Sequence, residues 1–278
     1  TLLKLNPTDT ERTKARHTIT TALALETNPR GVNNLIDTLL KLNPTDTERT
    51  KARHTITTAL ALETDPRGVN NLINALLKLN PTDTEQEQAR HTITKTLTLE
   101  TAPWEVNNLI DTLLKLNPTD TERTKARHTI TTALTLETTS EEVNYLIKAL
   151  LKLNPTDTEQ EQARHTVTKT LTRETNPWEV NYLIDTLLKL NPTDTERTKA
   201  RHTITKTLTR ETNPSGINNL INTLLKLNPT DTERTKARHT ITTALNNADS
   251  STLHELVGLL RRFTPVHKWL AALGIEST

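Results

Sequence analysis

The chain has 278 residues, no Cys, no Met, five Gly and a formal net charge of +2. Only 33% of its residues are apolar and 2% aromatic, which is lean for one large globular core. Residue type alone excludes disulfides, thiolate metal sites, cysteine nucleophiles and glycine-rich phosphate loops; no apolar run is long enough for a transmembrane helix, and the near-neutral charge argues against nucleic acid as the main partner.

Thr1-Leu2-Leu3 opens inside a helical pattern and without an initiator Met, which reads as an array cut from a longer one. The string LLKLNPTDTE begins at Leu2 and returns at Leu39, Leu76, Leu113, Leu150, Leu187 and Leu224, always 37 residues on. Seven matches at one spacing define a tandem repeat. In each unit Thr8 caps a helix start and Glu11 reaches back to it, the T-x-x-E capping box. Ala15, Ile19, Ala22 and Leu23 then share one face, and this helix is expected to stop near Thr27, before a loop Asn28-Pro29-Arg30-Gly31. A second helix carries Val32, Leu35, Ile36, Leu39 and Leu42. Asn43-Pro44 ends it, because proline disfavours a helical residue before it.

Helices of roughly 17 and 12 residues cannot bury such stripes alone and must stack on neighbouring units. Polar, Thr-rich chains are often disordered, but a disordered tract has no reason to keep one apolar face in every unit. The expected fold is all-α: a right-handed α-solenoid of about seven 37-residue helix-turn-helix repeats over residues 1–245 with a C-terminal cap over 246–278. In that last stretch the repeat decays, Leu253, Leu256, Val257, Leu260, Phe263 and Pro265 matching Val32, Leu35, Ile36, Leu39, Leu42 and Pro44. Beyond it, Val266-His267-Lys268-Trp269-Leu270 reads as one extra helical piece.

Ile36, Leu39, Leu40, Leu42 and Pro44 resemble the second-helix half of a tetratricopeptide repeat. The first half departs from that family, with Thr and His where Trp, Gly and Tyr are expected. LLKLNPTDTERTKAR is also similar to a HEAT repeat turn, in which a Pro-Asp corner precedes a helix with an early Arg. Near-identical arrays of this kind are similar to the sensor regions of bacterial NACHT and other STAND NTPases. The resemblance implies that the helix beginning at Thr8-Asp9-Thr10-Glu11 lines the concave side. It further implies a cytoplasmic binding scaffold whose ATPase domain lies outside this chain.

On a helical wheel His17 falls about 200° from Ala15, facing outward with Thr13, Thr20 and Ala24, and Arg16 sits on the flank. The repeat copies them as rows, so the candidate ligand-binding stripe is Arg53, His54, Arg90, His91, Arg127, His128, Arg164, His165, Arg201 and His202. Stacked helices about 8–10 Å apart hold their imidazoles too far apart to share a zinc, so the row is not read as a metal site. It is a solvated polar face or a groove for an acidic or extended peptide. Protonating all nine His would take the formal charge from +2 toward +11, which favours an acidic ligand near pH 6.

Where units differ, Arg12-Thr13-Lys14 becomes Gln86-Glu87-Gln88 and Gln160-Glu161-Gln162. Lys95 and Lys169 appear in those same units at the Thr21 position, which reads as charge compensation. Trp104, Tyr145, Trp178 and Tyr182 form a candidate aromatic contact patch, or cover the corners between helices. Asn33 and its copies pair with a peptide backbone or with the neighbouring unit. No catalytic constellation is legible: His254-Glu255 lacks the second His of a zinc protease, with Gly258 in its place, and Ser250 and Ser251 have no organised base. The expected function is a non-enzymatic protein- or peptide-binding scaffold without cofactor or metal. The alternatives are a structural spacer or self-associating array and an engineered repeat.

Overall fold

The computed structural model describes residues 7–99, 102–136, 139–245, 257, 258 and 260. The cap read from sequence lies outside the described residues apart from the last three of these. The described residues form thirteen helices and no strand. They are α1 (Asp9–Leu25), α2 (Pro29–Leu40), α3 (Asp46–Leu62), α4 (Pro66–Leu77), α5 (Asp83–Leu97), α6 (Pro103–Lys115) and α7 (Asp120–Leu136). The series continues with α8 (Ser140–Lys152), α9 (Asp157–Leu171), α10 (Pro177–Lys189), α11 (Asp194–Leu208), α12 (Pro214–Lys226) and α13 (Asp231–Leu245).

Two compact units divide the chain, Thr1–Ala133 with Lys148–Asn154 and Leu134–Ile147 with Pro155–Thr278. In the first, α1, α3 and α5 pack in series as one layer, α2, α4 and α6 pack in series as a second, and α1·α2, α3·α4 and α5·α6 close the layers together. In the second, α9, α11 and α13 form the odd layer and α10 and α12 the even one. Each of these helices except α13 therefore meets its partner, and every one of them meets its copy in a neighbouring repeat. This is the packing of an α-solenoid, and the all-α repeat fold read from the sequence is the fold observed.

The odd helices start as expected. The hydroxyl of Thr45 accepts from the Glu48 N–H while the Glu48 carboxylate accepts from the Thr45 N–H, and the same box recurs at Thr8, Thr82, Thr156 and Thr193. The even helices start earlier than the sequence reading placed them. Asn28 is an N-cap whose side chain accepts from the Arg30 and Gly31 N–H groups, and Pro29 is the first helical residue. Proline suits that position because its missing N–H is one the helix cannot use. The stretch Asn28-Pro29-Arg30-Gly31 is thus a cap and a first turn, not a loop.

The even helices end on a left-handed residue. Asn43, Asn80, Asn117, Asn154, Asn191 and Asn228 all have φ between 49° and 53°. Asn tolerates this conformation better than other non-glycine residues, so the Asn-Pro pair stops the helix twice, by the turn at Asn and by the ring that follows.

Ala52, Ile56 and Leu60 of α3 and Val69, Leu72, Ile73, Leu76 and Leu79 around α4 are fully buried, and their copies repeat the pattern. Threonine extends this core. Thr96, Thr170 and Thr207 are buried with their hydroxyls donated to the carbonyls of Thr92, Thr166 and Thr203 one turn back. Turning the hydroxyl onto its own helix leaves only the methyl to face the neighbour, which is how a chain this polar closes its layers. The Thr20 row was expected to face outward. Its copies Thr57, Thr131 and Thr168 are buried and bonded back in the same way.

Candidate binding face

The candidate stripe separates into two rows with different tasks. His17, His54, His91, His128, His165, His202 and His239 are all exposed on the odd helices. The arginine one residue earlier turns into the array. Arg53 places Nε 3.0 Å from Glu85 Oε2, donates Nη1 to the Leu79 carbonyl at 3.2 Å and Nη2 to Thr50 Oγ1 at 3.1 Å, and its side chain is only 14% exposed. Arg16, Arg90 and Arg201 repeat this with Glu48, Glu122 and Glu233, and with the carbonyls of Leu42, Leu116 and Leu227. Arg164 lies 3.3 Å from Glu196 without hydrogen-bond geometry at Nε, and donates to the Leu190 carbonyl. Arg127 donates to the Leu153 carbonyl and to Thr124. Arg53, Arg90, Arg127, Arg164 and Arg201, expected on the ligand stripe, are thus bonded within the array. Each of them donates to a carbonyl at the end of one helix, and Arg53, Arg90 and Arg201 also bond the glutamate at the start of the next odd one.

The acceptor glutamates feel this. Burial works to raise the Glu48 carboxyl, but the Thr45 N–H and hydroxyl and the Arg16 guanidinium outweigh it and hold it below the usual carboxylate range. Glu122 and Glu233 are held down in the same way.

The asparagine row also works inside the array. Thr186 donates to Asn144 Oδ1 at 2.5 Å, and Thr223 donates to Asn181 Oδ1. Where the next unit has Ala75 or Ala149 in place of that threonine, Lys78 reaches Asn33 and Asp37, and Lys152 reaches Asn107 and Asp111. These contacts satisfy Asn33, Asn107, Asn144 and Asn181, whereas Asn70 Oδ1 is buried without a hydrogen-bond partner.

Trp178 and Tyr182 lie one turn apart on the exposed face of α10, with Trp178 in the first turn of the helix. Trp104 occupies the same place on α6, and Tyr145 of α8 is half-buried. Within the second unit, burial, then the charges of Glu174 and Glu141, push the Glu179 carboxyl above its ordinary range. Glu174 itself accepts from Ser140 Oγ and from the Thr175 and Asn176 N–H groups.

Two features went unread in the sequence. Leu25, Leu62 and Leu136 are 78%, 81% and 76% exposed at the ends of α1, α3 and α7, and Leu99 is exposed at the equivalent position after α5. The signal was available: a wheel puts Leu25 about 200° round from Leu23, and Arg173 and Arg210 stand at its copies. The second is Lys206, which joins Lys95 and Lys169 but occurs with an unchanged Arg197-Thr198-Lys199. Charge compensation therefore does not account for these lysines. What accompanies each of them is Thr96, Thr170 or Thr207 in place of alanine, and an odd helix of 15 residues where α1, α3 and α7 have 17.

Open grooves run between successive odd helices. One lies between α1 and α3, lined by His17, Thr21, Ala24, Lys51 and His54, and another between α3 and α5, lined by Leu60, Gln88, His91, Lys95 and Leu99. In the second unit one groove takes Leu136, Gln162, His165, Lys169 and Arg173, and the next takes Glu174, His202, Lys206, Arg210 and Glu211. Among the described residues no three His, Asp or Glu side chains gather closely enough to hold a metal ion, and no helix is long and apolar enough to cross a membrane.

No protein-family model matches the chain, and no curated protein matches it. Among solved structures it is similar to a chain described under "Computational Design of Self-Assembling Cyclic Protein Homooligomers". The identity is 15% and the TM-score 0.18, over 91% of this chain and 92% of that one. That likeness is too low to carry over a fold or an assembly.

Proposed function

We propose that the chain is a non-enzymatic scaffold that binds a protein or peptide segment along the exposed face of its odd helices. The observation that supports this reading is the recurrence of one groove between consecutive odd helices, lined by the histidine row and with volumes from about 190 to 620 Å³. The resemblance to tetratricopeptide and HEAT arrays, and to NACHT and STAND sensor regions, extends the reading to the ligand-sensing repeats of a larger signalling NTPase in the cytoplasm. An array of synthetic peptides probed with the labelled full chain tests it. Capture that is lost when His54, His91, His128, His165 and His202 are changed to Ala supports the groove. Capture unchanged by those substitutions overturns it.

A second reading, a self-associating spacer, is favoured by the exposed Leu25, Leu62 and Leu99 of the first unit. Light scattering across a concentration series separates the two. A mass fixed at one chain favours the peptide scaffold, and a mass that grows with concentration favours the spacer.

A further inference from the structure

The odd helices do not all present the same chemistry. Along α9 and the turn after it His165, Lys169 and Arg173 follow at four-residue intervals, and His202, Lys206 and Arg210 do the same along α11. All six are exposed. In α1, α3 and α7 the same positions read His, Thr, Leu. Among the described residues none of Lys169, Arg173, Lys206 and Arg210 is held in a salt bridge, whereas Arg164 and Arg201 on the same helices are. Three acids stand near this face, Glu161 one turn before His165 and Glu174 and Glu211 in the α9–α11 groove. The last two turn their carboxylates onto Ser140 and backbone N–H groups, and among the described residues none of the three forms a salt bridge with these four cations.

A cation at a helix C-terminus is favoured by the backbone dipole, which accounts for one lysine there. The fold does not need it, because α1, α3 and α7 end without a basic residue in their last turn. Two parallel cationic ladders edging open grooves of about 250 and 320 Å³ are a surface for anions. Packed helices lie about 8–10 Å apart. A polyproline-II segment rises about 3.1 Å per residue and repeats its face every third residue, so its acidic side chains at every third position recur at about 9 Å. The two spacings match.

We infer that the α9–α11 face binds an extended acidic peptide segment, its carboxylates engaging Lys169 and Arg173 on one helix and Lys206 and Arg210 on the next. This rests on the peptide-binding reading above and gives that reading its ligand class.

The test uses the full chain and fluorescein-labelled peptides of repeated Glu-Pro-Ala, with Gln-Pro-Ala and Lys-Pro-Ala repeats as controls, read by anisotropy. The Glu peptide binds on the order of tenfold tighter than the Gln peptide, and added salt weakens it. The quadruple variant Lys169→Glu, Arg173→Glu, Lys206→Glu, Arg210→Glu lowers its affinity on the order of tenfold, with the helical circular dichroism unchanged. A gain variant decides the matter if that one misfolds: Thr21→Lys, Leu25→Arg, Thr58→Lys and Leu62→Arg install the ladder on α1 and α3 and add a second binding site. Glu-peptide affinity unmoved by the quadruple variant, or no second site in the gain variant, overturns the inference. Equal binding of Glu and Gln peptides overturns the acidic ligand while favouring the peptide scaffold. Binding of none of the three overturns the inference, and the peptide array then judges the scaffold separately.

Discussion

Arg53 Nε lies 3.0 Å from Glu85 Oε2, and the two residues stand 32 positions apart, on consecutive odd helices. Glu85 is also the carboxylate that accepts from the Thr82 N–H, so one acid caps its own helix and anchors the previous one. Arg53 meanwhile donates to the carbonyl of Leu79, at the end of the helix between them. A single guanidinium therefore satisfies a helix C-terminus and binds a helix N-terminus, two places where backbone groups lack intrahelical partners.

Replacing Arg53 by Ala leaves the Leu79 carbonyl and the Glu85 carboxylate without their shared donor. Hydrogen bonds to charged groups contribute about 1.5–3 kcal/mol, and a loss of that size is expected in urea unfolding. Arg53→Lys should recover little of it, because a point ammonium cannot reproduce the fork that reaches Glu85, Leu79 and Thr50 together. A lysine variant as stable as the parent contradicts the bridging role.

The left-handed Asn117, with φ 49°, gives a second test on a different link of the chain. Asn117→Ala must hold a β-carbon in that conformation, at a cost of roughly 1–2 kcal/mol. Asn117→Gly should be close to neutral, since glycine adopts it freely and loses only the small bias Asn has toward it. The difference between the two variants, measured in one denaturant series, isolates the backbone from any side-chain contact.

How far the sequence could be read follows from what each residue depends on. Thr8, Glu11, Ile36 and Leu39 act within one helix or across one layer, and their spacing alone placed them. Arg16 depends on how the next unit stacks. A wheel shows it on the flank but cannot name Glu48 as its partner, so the same residue reads equally as ligand group or as bridge. Asn33 is likewise satisfied by Lys78 of the next repeat. Leu25 was passed over because it follows the core residue Leu23 closely, although its direction differs. The even-helix start was missed because Asn-Pro reads as a loop signal, while Asn28 as N-cap with Pro29 at the first position is equally good helix chemistry.

Gly68 tests the turn between helices. A β-carbon there would sit 2.4 Å from the Glu63 carboxylate carbon, which is folded over the glycine to accept from the Thr64 and Asp65 N–H groups. The obstacle is the end of a flexible side chain, so the carboxylate can swing away. Gly68→Ala should therefore change stability by less than about 1 kcal/mol, the lost hydrogen bonds offsetting the gain in helix propensity. In a Glu63→Ala background the three atoms nearest that β-carbon are gone, and the same substitution should stabilise by about 0.5–1 kcal/mol. The array contains its own precedent, since Glu105, Glu142 and Glu179 stand at this position in other units. Equal effects in the two backgrounds would show that Glu63 and residue 68 are not coupled.

The carboxylates set the response to acid, and two groups of them pull in opposite directions. Glu48, Glu122 and Glu233 are depressed below 4.5 in the folded chain, so they bind protons more readily when unfolded. Their contribution is complete above 4.5 and is lost as pH falls through the depressed values, which predicts acid unfolding that begins below 4.5. Glu179 has the reverse sign. Burial and the charges of Glu174 and Glu141 raise it, so its ionised form opposes folding at neutral pH. Glu179→Gln should raise the unfolding midpoint at pH 7, and the gain should shrink as pH falls through the raised value and vanish below 4.5, where the parent carboxyl is protonated in both states. Because Glu174 is held down by Ser140 and the Thr175 and Asn176 N–H groups, Glu174→Gln should do the opposite and destabilise at pH 7. Two isosteric substitutions five residues apart, with opposite signs at neutral pH and converging in acid, separate local charge repulsion from a general effect of removing a carboxylate. Matching shifts in the two variants would assign both to net charge alone.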